Sequence, residues 1–181
     1  RYSNKNFRLH IYLGVYYIKD VNETIRQMVD KVSLVIMKSK GNMSNYILYY
    51  DENSYRNDIF KQQLIGEFET ALNENQFCMY LQPQTDKDGN MLGAEALIRW
   101  NHPNMGLIMP GAFIECFEDA GLIYRLDNYI WEEAAKQLKI WKDCGYNYYI
   151  SVNISAKDFY HIDVYQTFKN LVSKYGIDTD K

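Results

Sequence analysis

A chain of 181 residues with 47% hydrophobic and 24% charged residues has an ordinary globular composition, sized for one domain or two small pieces. Its net charge of −3 supplies no basic field, which argues against long nucleic-acid polymers and leaves room for a small anion held by one or two arginines. The three cysteines, Cys78, Cys116 and Cys144, form no CxxC pair and favour reduced thiols and a cytoplasmic address, and no apolar run approaches the roughly 18–20 residues of a membrane span.

Residues 8–18 are rich in β-branched and aromatic side chains and predict a strand. Asp20 and Asn22 are candidate caps for a helix over about 23–39, with Ile25, Met28, Val29, Val32 and Ile36 on one face and Gly41 as its stop. A second strand follows at 46–50. Asp51 to Asn57 is polar and marks a boundary, after which Phe60, Leu64, Phe68 and Leu72 predict a helix from about 58 to 75.

Phe77 to Gln84 predicts the next strand. Asp86-Lys87-Asp88-Gly89-Asn90 faintly suggests a calcium loop, but its glycine comes too early for that pattern, and it reads as a hairpin turn. Met91 to Trp100 is then a buried strand, because apolar residues occupy both parities. Side chains alternate along it, so Glu95, Leu97 and Arg99 share one face, and Ala94, Ala96, Ile98 and Trp100 the other. A direct Glu95–Arg99 ion pair would have to bridge four residues, roughly 13 Å of strand at about 3.3 Å per residue. Separate partners are therefore expected, and a cation for Glu95 with an anion for Arg99 would describe a metal-assisted phosphate site.

Asn101-His102-Pro103 leaves that strand, with His102 read as structural rather than as a ligand. Pro110-Gly111 opens a short helix ending near Gly121. A longer one runs from about Asp127 to Asp143, striped by Ile130, Trp131, Ala134, Leu138 and Trp141 and stopped by Gly145. Tyr148 to Ser155 predicts a strand whose Ser151, Asn153 and Ser155 form a polar row, a pattern that points towards a site. Residues 163–175 form the last helix, ended by Gly176. From residue 77 onward this is an α/β pattern, expected to be mainly parallel, with an acidic–basic–amide face.

From about residue 64 onward the sequence resembles the EAL family of cyclic di-GMP phosphodiesterases. The matching residues are Tyr80-Leu81-Gln82-Pro83-Gln84, Gly93-Ala94-Glu95-Ala96-Leu97-Ile98-Arg99-Trp100, Asn101-His102-Pro103, Gly106 to Pro110, Phe113, Glu118 with Ala120-Gly121-Leu122-Ile123, and Val152-Asn153-Ile154-Ser155. The resemblance implies a partial TIM-type (β/α) barrel and hydrolysis of cyclic di-GMP to linear pGpG with two Mg²⁺ or Mn²⁺ ions. It makes Glu95 and Asn153 metal ligands, sets Arg99 on a substrate phosphate, and places Gln82 and Leu97 along the dinucleotide. Family members draw further ligands from later strands. Asp158, Asp163, Asp178 and Asp180 do not match those motifs, so the reading expects the first half of a barrel, inactive by itself.

The first fifty residues more weakly resemble the tail of a GGDEF (diguanylate cyclase) domain, through a strand, a helix carrying Val29-Asp30-Lys31, and a strand. The lysine expected seven residues after Asp30 is replaced by Met37, with Lys40 able to serve across a gap. This implies a small α+β remnant without cyclase activity. The organisation expected is a GGDEF-like piece over 1–52, a linking helix over 53–75 and an EAL half-domain over 76–181. Arg1 at the start and Asp178-Thr179-Asp180-Lys181 at the end make the chain read as part of a longer protein. The alternatives are a receptor that binds cyclic di-GMP without cutting it, and a dimerisation module that pairs open strand edges in a homodimer.

Overall fold

A computed structural model describes residues 11–38 and 46–181, and the chain divides into two compact units, 1–59 and 60–181. The predicted strand residues 8–10, Lys40 and the expected stop at Gly41 lie outside the described residues.

In the first unit, strands β1 (Leu13–Val15) and β2 (Ile47–Tyr49) pair in parallel and flank helix α1 (Ile25–Lys38). The helix begins with a reciprocal cap: Thr24 Oγ1 accepts the Gln27 amide at 3.3 Å, and Gln27 Oε1 accepts the Thr24 amide at 2.9 Å. The cap is therefore Thr24, whereas Asp20 accepts the Asn22 amide in a turn upstream. Ile25 and Val29 are exposed rather than inward, and the helix packs through Val32 and Ile36. A Cβ on Gly14 of β1 would lie 2.6 Å from Val32 Cγ1, so only glycine allows that approach.

Helix α2 spans Glu52–Asn73, so it starts within the polar stretch read as a boundary, ahead of the first apolar stripe residue, Phe60. Asp51 explains the early start, because its carboxylate accepts the Ser54 amide at 2.8 Å as an N-cap. In the second unit Leu64, Phe68 and Ala71 of this helix are fully buried.

The sheet of the second unit is built on β4 (Met91–His102), which pairs antiparallel with β3 (Phe77–Thr85) on one side. On the other side it pairs antiparallel with β5 (Gly106–Ile108) and parallel with β6 (Tyr149–Ser151). The expectation of a mainly parallel layer is thus corrected, since only the β4–β6 pair is parallel. Two tight turns account for this. Asp86 Oδ1 accepts the Asp88 and Asn90 amides at 2.9 Å to close the first hairpin, and Gly106, at φ 70°, returns the chain into the unforeseen β5. Pro83 is tolerated because β3 is an edge strand.

His102 is structural as expected. It is 4% exposed, its Nδ1 accepts the Asn104 and Met105 amides at 3.1 and 3.2 Å, and its Nε2–H donates to Glu67. Helix α3 (Ile114–Asp119) precedes α4 (Ile123–Asp143), which starts earlier than expected and carries Asp127 inside its first turns. Strand β6 stops at Ser151, short of the predicted 155, so Asn153 and Ser155 sit beyond the strand. A 3-10 turn (Asp158–Tyr160) leads to α5 (Val164–Tyr175), capped by Asp163 and ended by Gly176 at φ 61°.

Three buried clusters hold these layers, one of them Trp131, Ala135, Val164 and Leu171 between α4 and α5. Phe68, Phe77, Trp100, Phe113 and Phe117 form a ring-on-ring cluster with centroids 4.9–6.2 Å apart. Ala96, Ile130, Ala134, Leu138 and Ile150 seat α4 against β4 and β6.

Candidate functional site

Register places the polar face. Residues paired directly across neighbouring strands point to the same side of a sheet. Glu95 pairs with Gln82 and with Ser151, Leu97 with Tyr80, and Arg99 with Cys78. The face opposite the α4-packed core therefore carries Gln82, Glu95, Leu97 and Arg99 together.

Gly93 is what lets β6 come this close. A Cβ there would stand 2.4 Å from the Tyr149 carbonyl oxygen, so a side chain at that position would push the strands apart. With β6 in place, the chain runs on to Asn153, whose Nδ2 donates to Glu95 Oε1 at 3.3 Å. These two groups lie 58 residues apart in sequence. Trp131 of α4 holds the same residue from behind, its Nε1 donating to the Asn153 carbonyl at 3.0 Å.

Arg99 forms no ion pair with Glu95. Its Nη1 donates to the Ile98 carbonyl at 2.7 Å, and its guanidinium lies 5.6 Å from the Tyr80 ring centroid. Neither contact neutralises its charge, and no direct pair spans the strand from Glu95 to Arg99, as the spacing requires. Beside it, burial pushes the Cys78 thiol above its ordinary range, with the Arg99 charge opposing.

A pocket of about 250 Å³ opens where β4, α4 and the segment after β6 meet. Leu97, Arg99 and Asn153 line it, with Glu118, Asp127 and Ser155. Gln82 is exposed next to Glu95 and does not reach this pocket. Glu95 and Asn153 offer a carboxylate and an amide carbonyl, the oxygen donors that Mg²⁺ or Mn²⁺ take. Among the described residues, no group of three or more His, Cys, Asp or Glu is gathered for a metal. The pair fits such an ion as one edge of a larger donor set.

From the sequence, Ser155 belongs to the polar row, Asp127 starts a helix, Asp158 matches no ligand motif, and Glu118 carries no role; the structure brings the four together. Ser155 Oγ donates to Glu118 Oε1 at 2.7 Å, and Asp158 Oδ2 accepts the Ser155 amide at 2.9 Å. Burial, aided by the facing Asp158, pushes the Asp127 carboxyl up to about 8. The available signal was Ser155-Ala156-Lys157-Asp158, an S-x-x-D pattern that closes a turn on itself.

The model of the EAL domain matches residues 65–181. Among curated proteins, the chain is 27% identical over 178 residues to the bifunctional diguanylate cyclase/cyclic di-GMP phosphodiesterase MucR of Pseudomonas aeruginosa, covering 97% of this chain and 26% of that protein. It is 32% identical over 152 residues to the signaling protein YkoW of Bacillus subtilis, covering 83% of this chain and 19% of the relative. A solved structure of the MucR phosphodiesterase in a cyclic di-GMP complex superposes with a TM-score of 0.60 at 35% identity, over 64% of this chain and 47% of that one. The chain thus spans 26% and 19% of the length of these two curated relatives.

Proposed function

The chain belongs to the EAL domain family, and from that premise we propose that the protein carrying it hydrolyses cyclic di-GMP to linear pGpG. In this reading β3 to β6 and their helices are the opening strands of a TIM-type barrel, preceded by a GGDEF-like piece over 1–52 and a linking helix over 53–75. The alignment to a bifunctional cyclase/phosphodiesterase over 97% of the chain supports that organisation.

The observation that carries the reading is the Glu95–Asn153 contact on the face that also bears Arg99. Glu95 and Asn153 would hold a Mg²⁺ or Mn²⁺ ion together with ligands from later strands. The chemistry such an ion supplies is activation of a water and stabilisation of charge on the leaving oxygen. Arg99 holds a phosphate of the dinucleotide with charge-assisted hydrogen bonds, its guanidinium lying over the Tyr80 ring. Leu97 excludes water beneath the substrate, and Gln82 offers amide hydrogen bonds at the outer edge.

Calorimetry and product analysis on the protein carrying this chain test the proposal. Binding of cyclic di-GMP with release of pGpG in Mg²⁺ or Mn²⁺ is the expected result. Binding without turnover makes the protein a receptor. No binding, with a dimer by light scattering, makes it a dimerisation module.

A further inference from the structure

Asn153 lies beyond the end of β6, so the sheet ladder does not fix its position. Trp131 anchors its carbonyl from α4, and the side chain's approach to Glu95 further depends on how the chain beyond it is held. Three elements converge on Ser155, two positions further on. From α3, Glu118 Oε1 accepts the Ser155 hydroxyl at 2.7 Å. From the 3-10 turn, Asp158 Oδ2 accepts the Ser155 amide at 2.9 Å, while the Asp158 amide returns a 3.0 Å bond to the Ser155 carbonyl. From α4 comes the Asp127 carboxyl, facing Asp158.

Asp158 is 0% exposed, and its second oxygen, Oδ1, is buried with no N–H or hydroxyl donor. A carboxylate oxygen left so is costly, and two facing carboxylates cannot both be ionised cheaply. A single arrangement answers both costs, with Asp127 protonated and its O–H donating to Asp158. Burial also raises the Asp158 carboxyl, opposed by the Asp127 hydrogen bond; the other titratable groups facing the pair are Glu118, which disfavours further negative charge, and His161, stacked on Tyr124.

We propose that a carboxyl–carboxylate hydrogen bond from Asp127 to Asp158, together with the Glu118–Ser155 hydrogen bond, forms a clamp that positions Asn153 against Glu95. These are positioning residues. The functional meaning of the clamp rests on the role proposed for Asn153, but its existence does not.

The test is carbon-detected NMR of the side-chain carboxyls in the full 181-residue chain, without ligand, across pH. Asp127 is expected to remain protonated at neutral pH, with a midpoint near 8. In Asp158→Asn the new amide donates to Asp127, so the fold is kept and the midpoint drops by about two pH units or more. The Asn153 side-chain amide resonance should follow the wild-type titration and lose that dependence in Asp158→Asn. Glu118→Ala should weaken the Asn153–Glu95 contact, and Glu118→Gln, which can still accept the Ser155 hydroxyl, should restore it. An Asp127 midpoint in the ordinary carboxylate range in the wild type overturns the clamp. An Asn153 resonance indifferent to pH and to Glu118→Ala overturns the positioning. A protein that fails to bind cyclic di-GMP yet shows these titrations leaves the clamp standing and removes only the functional reading.

Discussion

The two faces of β4 are built to opposite rules. On the helix side, Ala94, Ala96 and Trp100 are at most 3% exposed and meet rings and aliphatic groups with almost no polar atom among them. The polar groups on this side are satisfied: the Trp100 indole N–H donates to Gln76 Oε1 at 3.0 Å, and the buried His102 ring bonds through both nitrogens. On the other side, Glu95, Leu97 and Arg99 remain partly exposed, and the two charges are held by an amide, a carbonyl and a ring rather than by each other. One face spends its side chains on packing, and the other keeps charges uncancelled. The difference teaches that stability and recognition in this unit are separable by residue parity along a single strand.

That separation can be broken from either side. The largest effect is expected on the packed face, where Phe117→Ala empties the centre of the aromatic cluster and should cost about 3–5 kcal/mol in denaturant unfolding. On the open face, Arg99→Ala should weaken cyclic di-GMP binding by about 1.5–3 kcal/mol in calorimetry, while unfolding shifts by no more than about 0.5 kcal/mol. Gly93→Ala touches both faces. Its Cβ would meet the Tyr149 carbonyl at 2.4 Å, so a loss of about 1–3 kcal/mol is expected, along with loss of the Asn153–Glu95 contact by NMR.

The smallest effect is the dependence of stability on pH, where two sets of groups act with opposite sign. Asp127 is raised by burial and by Asp158, so the folded state binds the extra proton and stability declines as pH rises from about 4 to about 8. Glu67 and Glu132 are lowered by hydrogen bonds, mainly from His102 and Lys174, so their contribution is lost as pH falls through the carboxylate range. Melting curves should therefore decline on both sides of a mildly acidic optimum. Asp127→Asn should flatten the upper limb and leave the lower one.

How much of this was legible in the sequence follows from which signals are local. Parity along Met91–Trp100 was enough to separate Glu95, Leu97 and Arg99 from the core positions, and the striping of α4 and α5 was recovered because both pack through one face. The helix itself was legible, but periodicity starting at Phe60 could not reveal that Asp51 caps it, since the polar residues just after the cap carry no apolar stripe. Nor could it reveal β5, a three-residue strand made by the turn at Gly106. The direction of pairing was misread because strand–helix alternation begins only after two hairpins have set β3, β4 and β5 antiparallel. Asp127 and Asp158 were passed over for a similar reason. Each looks like an ordinary capping residue until a fold brings them together across 31 positions of chain, from α4 to the 3-10 turn.

The most direct test of the central claim is pGpG release by the protein carrying this chain, compared with its Asn153→Ala variant at matched melting temperature. The account predicts turnover in the wild type and a loss of about 100-fold or more in the variant, without loss of stability. Equal turnover in the two proteins, or a wild type that neither binds nor cleaves cyclic di-GMP, would contradict it.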